Sequence, residues 1–496
     1  MDWLIELNSQ INGIVWGPPM LVLLVGAGVF LSIRTKFIQF RKFGLMSRET
    51  LGKIFRRGPA AEGDITPFQA MAVAMGGTVG VGNIAGVATA IALGGPGAVF
   101  WMLVSGLVGM ATKFAEVVLG VHYRTREAGG PMVGGPMTYI TRGLGPRWKP
   151  LAVVFCLFGA LAGLGIGNMT QAQAVADGVE RLLAVSTETA DEESPSQPAA
   201  QTAPTTQAER DAAPAPAYRR PARWITGGVL LIAVGAVTIG GIKRIAHVAM
   251  FFVPFMCTIY MLAALAIIVM YAGGLPRVLG LVVREAFSLK AAGGGAAGTA
   301  MLLAVRYGIA RGVFSNEAGL GSAPMAHATA QTDHPARQGL WGIFEVFFDT
   351  IVMCSATALV ILLTGAWKGG ESGAGLTISA FSVPFGGVAG SSIVTFCMIL
   401  TAYDTILAWC FYGETCCSFV FGHGRVVRMA YRLFWLPFVL LGALGQLDFI
   451  WGVADTLNGL MALPNLIALI ALSGVVVGLT KGFLTGKPYT PPQSPD

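Results

Sequence analysis

The sequence predicts an all-α polytopic membrane protein of about 11 transmembrane helices: one leading helix, then a 5+5 inverted repeat with one broken helix in each half. Three observations predict it. The chain has 496 residues that are 54% hydrophobic and only 12% charged, with mean hydropathy +0.66. No charged residue occurs between Asp64 and Lys113, a length that admits two spans of about 20 residues each. Two glycine-rich interruptions, Gly76–Asn83 and Gly312–Gly319, fall at comparable places in the two halves of the chain.

In order, Ile14–Ile33 is the leading span, and Phe68–Leu93 is the first broken span. Gly97–Tyr123 follows, then Leu151 to about Val185. The stretch Thr187–Pro221 is acidic and rich in Pro, Ala, Thr and Gln; it reads as a disordered exterior loop because it lacks apolar surface to bury. Ile225–Ile239 and His247–Tyr271 are spans joined by a short basic turn. Leu275–Lys290 reads as a surface helix leading into the flexible AAGGGAAG stretch. Thr299–Ala330 holds the second interruption. Leu340–Thr364, Ser391–Phe419, Val427–Leu444 and Trp451–Leu479 complete the set, and PMTYITRGL, between the third and fourth spans, is long enough for a short surface helix.

Lys and Arg concentrate in alternate loops, above all 34–64 and 123–149. The positive-inside rule then puts the N-terminus outside and the C-terminus in the cytoplasm of a bacterial-type inner membrane. The organisation that follows is a leading helix with a basic cytoplasmic loop (1–64), a first five-helix repeat (65–272), an exterior surface segment (273–297), a second repeat (298–482) and a cytoplasmic tail (483–496). The start lacks the basic n-region of a cleavable signal. All seven cysteines lie in apolar runs, their number is odd, and free thiols are expected.

The interruptions carry the chemistry. Gly76, Gly77, Gly80 and Gly82 crowd the middle of a span, and each weakens a helix interior by ~1 kcal/mol relative to alanine. In hydrocarbon an unwound stretch survives only against protein, solute or ion, and its half-helix ends then point inward. The competing reading is glycines for close helix packing. An odd number of spans per half makes the second half insert upside down.

GGTVGVGNIAGVATAIALGGPGAVFWM, GMATKFAEVVLGVHYR, GIGNMTQA, GVFSNEAGLGSAPMAHA and FEVFFDTIV, in that order, resemble the alanine/glycine:cation symporter family from about Asp64 to Lys481, excepting 187–221. The resemblance implies the leucine-transporter fold and sodium-coupled, sometimes proton-coupled, uptake of small neutral amino acids such as alanine and glycine. It places the substrate carboxylate on the N–H groups of Val81 and Gly82. The α-ammonium would meet carbonyls near Thr78 and Phe314, and the Thr78 hydroxyl. Phe314 is similar to the family's gating aromatic; Thr405 and Trp409 would supply a polar contact and the pocket floor. Gln171 would bond either the carboxylate or the unwound backbone.

For Na+, the resemblance implies a site made by the carbonyls of Gly76, Val79 and Thr401 with the side chains of Asp404 and Thr405. Asp404 departs from the family, which usually has Ser or Thr there. It belongs to the cation site or turns aside to a hydroxyl such as Thr401 or Tyr403. A first cation site would lie beside the substrate carboxylate, where Asn83 offers its side-chain carbonyl. Asp349, at membrane depth, either completes that site with Ser315 or buttresses the unwound Ser315–Gly319 backbone.

Other residues receive blander readings. Lys113 and Glu116 read as a structural pair at the inner face, Glu317 as an acceptor for backbone N–H groups of the second break, and His122 and His327 as solvated near the interfaces. The histidines and cysteines lack metal spacing. VGVGNIAG sits in a membrane span rather than after a strand, so nucleotide binding is rejected. The basic balance reads as topology, not nucleic-acid binding. No nucleophile–base–orienter set converges, which disfavours an enzyme, and a channel would need a continuous polar pore. A proton-driven carrier of the same fold is the nearest rival.

Overall fold

Long apolar stretches become helices because a bilayer leaves every backbone N–H and C=O to be satisfied within the segment. The computed structural model describes residues 2–54, 62–127, 130–192, 219–288, 299–445 and 448–492, and these are helical almost throughout. Among the described residues, nine helices are long and apolar enough to cross a membrane, and a bent pair makes a tenth. The leading span is helical from Asp2, interrupted at Trp16–Gly17, and continues as α1, Pro18–Arg34. The bent pair is α2, Pro67–Thr78, and α3, Gly82–Gly94, which meet at 47°. After it come α4 (Gly97–His122), α5 (Pro146–Leu183), α6 (Pro221–Thr238) and α7 (Ile242–Met270).

The second half begins with α8, Thr299–Asn316, and the short α9, Ala323–His327. It continues through α10 (Pro335–Thr364), α11 (Gly387–Phe421), α12 (Arg425–Leu444) and α13 (Gly452–Ala471). The start of α2 is set by a capping box: Thr66 accepts from the Gln69 N–H while the Gln69 side chain takes the Thr66 N–H. Pro67 stands at the first helical position, where its missing donor costs nothing.

The residues of α2 from Ala70 to Thr78 are buried all round, as is almost every residue of α4 from Gly109 onward. These two helices, α8 and α11 make the centre of the molecule. By contrast α6, α7 and α12 expose Ile232, Phe255 and Phe434 on their outer faces, as lipid contact requires. The helix Leu275–Ala286 lies where a surface helix is expected, and buries Val278, Val282 and Ala286 beside the start of α4.

Three expectations change. The second break is not at Gly312: α8 runs unbroken to Asn316, and the chain unwinds at Glu317–Ser322. Gly312 is a packing glycine, since a Cβ there would overlap the Ser105 hydroxyl of α4. The Pro136–Leu144 segment is helical but not a surface helix, because Pro136 to Ile140 are buried and the Tyr139 hydroxyl bonds Asn465 of α13. Helix continues beyond residue 187 to Glu192 and resumes at Arg219; the rest of the expected exterior loop, 193–218, lies outside the described residues, as does the stretch 291–298. All seven cysteines are free thiols.

At the end of the molecule carrying the loop 123–149, the entries to the two broken regions are tied. Ile65 pairs with Ala330 in a parallel bridge, with Asp64 N–H on Thr329 O at 2.8 Å and Gln331 N–H on Ile65 O at 2.8 Å. The Arg124 guanidinium donates to the carbonyls of Ala328, Ala330 and Glu62.

Candidate functional site

The first break begins where Val79 leaves helical geometry (φ −76°, ψ 92°), its N–H still bonded to Met75 O at 2.6 Å. Asn83 closes the turn: its side-chain oxygen accepts the Gly80 N–H at 2.9 Å. Val81 and Gly82 are the first residues of their helix, so it contains no i−4 carbonyl for their N–H groups. Among the described residues no acceptor outside the helix takes them either. This is a pair of oriented donors at a helix N-terminus, the arrangement that binds carboxylates. The Phe314 ring covers it: a Cβ on Gly82 would stand 3.2 Å from the Ser315 Cα and 3.4 Å from that ring. The Thr78 hydroxyl turns back to Ala74 O and Met75 O, both at 3.3 Å. Gln171 gives its N–H to Ile166 O at 3.0 Å, and its buried oxygen, near Gly80, has no partner.

Two acidic groups flank the break. On one side Asn83 donates to Asp349 Oδ1 at 2.6 Å, Ser315 Oγ to Oδ2 at 3.0 Å, and Thr350 Oγ1 to Oδ2 at 2.8 Å. The structure therefore brings Asn83, Ser315 and Asp349 together, and all three are fully buried. Asp349 does not serve the unwound Ser315–Gly319 backbone; Asn316 and Glu116 do.

On the other side stands α11. The Thr405 hydroxyl lies 2.9 Å from Gly76 O and 3.0 Å from Thr401 O, which gathers the expected oxygens. Asp404 packs its Cβ against Gly76, is 1% exposed, and neither of its carboxylate oxygens has a hydrogen-bond partner. It does not turn aside: Thr401 Oγ1 is spent on Met398 O and Tyr403 Oη on Ala233 O. Val79 has no hydrogen bond to this group among the described residues. A buried, unpartnered carboxylate beside backbone carbonyls is an all-oxygen set suited to a hard cation. The helices here have widened, π-type turns at Gly82–Gly86, Gly163–Met169 and Phe347–Cys354, a feature that concentrates at functional sites.

The second break is furnished differently. Glu317 and Gly319 have φ of +54° and +98°. Glu116 Oε1 accepts the N–H groups of Gly319 and Gly321, each at 3.0 Å, and the Asn465 amide at 2.6 Å. So Glu116 takes the backbone role expected of Glu317. Glu317 instead accepts the Trp409 indole N–H at 3.1 Å and the Ser322 hydroxyl. Lys113 does not pair with Glu116 but with Glu345 of α10, at 3.2 Å and with both side chains fully buried. His327 is not solvated: it is completely buried between Glu345 (3.1 Å) and Gln338 (2.9 Å). His122, by contrast, is only part-buried, and its ring meets Tyr489 Oη at 3.1 Å. Sequence spacing could not see these partners, because Glu345 lies more than 200 residues from Lys113 and only the fold joins them.

The comparisons agree with one family. A family model for the sodium:alanine symporter family matches residues 1–490. Sodium/alanine symporter AgcS of Methanococcus maripaludis is 42% identical over 97% of this chain and 98% of its own. The Probable sodium/glutamine symporter GlnT of Bacillus subtilis is 35% identical over 96% of this chain and 90% of its own. Among solved structures, that of MhsT in complex with L-phenylalanine covers 86% of this chain and 100% of that one, at TM-score 0.57 and 13% identity, a likeness of fold. The chain belongs to the sodium:alanine symporter family. It is a multi-pass membrane transporter of the leucine-transporter fold, an amino-acid/cation symporter.

Proposed function

We propose that this symporter imports alanine or glycine with sodium by alternating access, from an exterior bearing the N-terminus to a cytoplasm holding the C-terminus. One observation carries the reading: the paired, unserved N–H groups of Val81 and Gly82, set between an aromatic cover and an unpartnered acid. The substrate carboxylate sits on those two groups, with Gln171 beside it, and the α-ammonium lies toward Thr78 and Phe314. Thr405 and Trp409 face the site from α11, and the indole leaves space for little beyond a methyl side chain. AgcS is named for sodium and alanine and GlnT for sodium and glutamine, so the two names agree on the ion and differ in the solute.

Sodium, as cargo, is held by Gly76, Val79, Thr401, Asp404 and Thr405, and Asn83, Ser315 and Asp349 form the first cation site beside the substrate carboxylate. The test is uptake of radiolabelled alanine into proteoliposomes with sodium and proton gradients imposed separately. Accumulation driven by sodium alone is expected. Accumulation driven only by a proton gradient assigns the coupling ion to protons, and no alanine uptake under either gradient overturns the substrate reading.

A further inference from the structure

Glu317 is an acid at membrane depth in a left-handed backbone conformation that side chains rarely adopt, and it is buried. Its two oxygens face different elements. Oε1 takes the Trp409 indole N–H at 3.1 Å, and the other takes the Ser322 hydroxyl beyond the break. The indole is confined elsewhere by contact alone. In the widened turn of α5 a Cβ on Gly163 would come 3.3 Å from the ring, and one on Gly167 would overlap it outright. Tyr412 meets the ring edge-on, with centroids 5.6 Å apart. These contacts are apolar packing around a ring that is 1% exposed. Beside them, the Glu317 bond is directional and fixes where the ring ends.

We propose that Glu317 is a positioning residue that sets the size limit of the solute pocket, by anchoring Trp409 to the second break. The inference rests on the reading that Trp409 floors the pocket. Three residues before Glu317 the same chain places Phe314 over the first break, so one short segment supplies the cover and fixes the floor.

The experiment measures competition by valine against labelled alanine uptake in proteoliposomes. It compares wild type, Trp409→Leu, Glu317→Met, Glu317→Ala and Glu317→Gln. Methionine keeps the volume and removes the acceptor; glutamine can still accept from the indole and donate to Ser322. Glu317→Met and Glu317→Ala should each make valine about tenfold more competitive relative to alanine, the scale of a pocket change of a methylene or two. Glu317→Gln should stay within about threefold of wild type. A merely structural defect lowers maximal uptake without changing the valine-to-alanine ratio, and that result in both Glu317→Met and Glu317→Ala overturns the proposal. If Trp409→Leu relaxes the ratio and the Glu317 variants do not, the anchor is wrong and the pocket stands. If Trp409→Leu leaves the ratio unchanged, the pocket reading and the proposal fall together.

Discussion

The two breaks are related by position in their halves and opposite in how their backbone is served. At the second, the exposed N–H groups of Gly319 and Gly321 are filled by a carboxylate of the protein itself, Glu116. At the first, the equivalent donors of Val81 and Gly82 are left without one. A nest of N–H groups in a membrane must be satisfied by something. Glu116 makes the second break a fixed joint; at the first no protein carboxylate takes that part, and in the proposed function the substrate's own carboxylate does.

The largest test of this contrast is Gly82→Ala against Gly321→Ala. A methyl on Gly82 meets the Ser315 backbone and the Phe314 ring, so alanine affinity should fall at least about a hundredfold in a protein that still inserts and purifies. Gly321 has φ of +83° and its Cβ would press on Pro136, Asn465 and Phe155; there the loss should appear as failed folding. Near-normal alanine binding by purified Gly82→Ala would contradict the assignment of the first break. Next in size, Glu116→Ala strands the buried N–H donors of Gly319 and Gly321, each worth ~1–3 kcal/mol, while the Asn465 amide keeps its bond to Gly319 O at 2.9 Å. Thermal unfolding in detergent should shift clearly downward, and an unshifted transition would mean the second break is not held by this acid.

Asp404→Ser replaces the unpartnered carboxylate with a neutral hydroxyl. It should weaken sodium activation about tenfold while alanine affinity at saturating sodium changes little; equal sodium dependence in the two proteins removes Asp404 from the site. The smallest effect lies far from both breaks. Burial would raise the Glu127 carboxyl, but the bond from His423 at 2.8 Å and the charge of Arg428 outweigh it and hold it low; the same bond raises the imidazole of His423. A raised histidine contributes stability that is fully present below its unfolded pKa of about 6.5 and is lost as pH rises through the folded value. His423 is half exposed, so screening keeps the effect small. The melting temperature should slip slightly on going alkaline in wild type and not in His423→Gln. Identical slopes would discard the pair.

The first break is legible in the sequence to within Gly76–Asn83, because four glycines crowd one uncharged span; the helix nonetheless runs on through Gly76 and Gly77 to Thr78, and only Val79 and Gly80 leave it. The second is legible only to within a turn or two. Gly312 looks like a helix breaker, yet a glycine also lets helices approach, and only the nearby Ser105 hydroxyl decides between the two. The sequence groups Asp349 with Asn83 and Ser315, and the structure brings the three into contact. For Lys113 the i, i+3 spacing offers Glu116 as partner, while the fold turns that acid to the second break and brings Glu345 across. The exchanged roles of Glu116 and Glu317 have the same cause: one-dimensional spacing cannot say which acid an unwound backbone faces.

The unpartnered Asp404 also has an electrical consequence. If it ligates sodium as a carboxylate, the loaded site is neutral and the empty site carries one negative charge; a hydroxyl in its place would make the loaded site positive and the empty one neutral. Membrane potential acts on moving charge with about 2.3 kcal/mol per 100 mV. At this site the potential therefore acts on the return of the empty carrier and spares the inward passage of the loaded one. Alanine exchange, which needs only loaded carriers, should respond less to voltage than net uptake does, and Asp404→Ser should make exchange voltage-sensitive too.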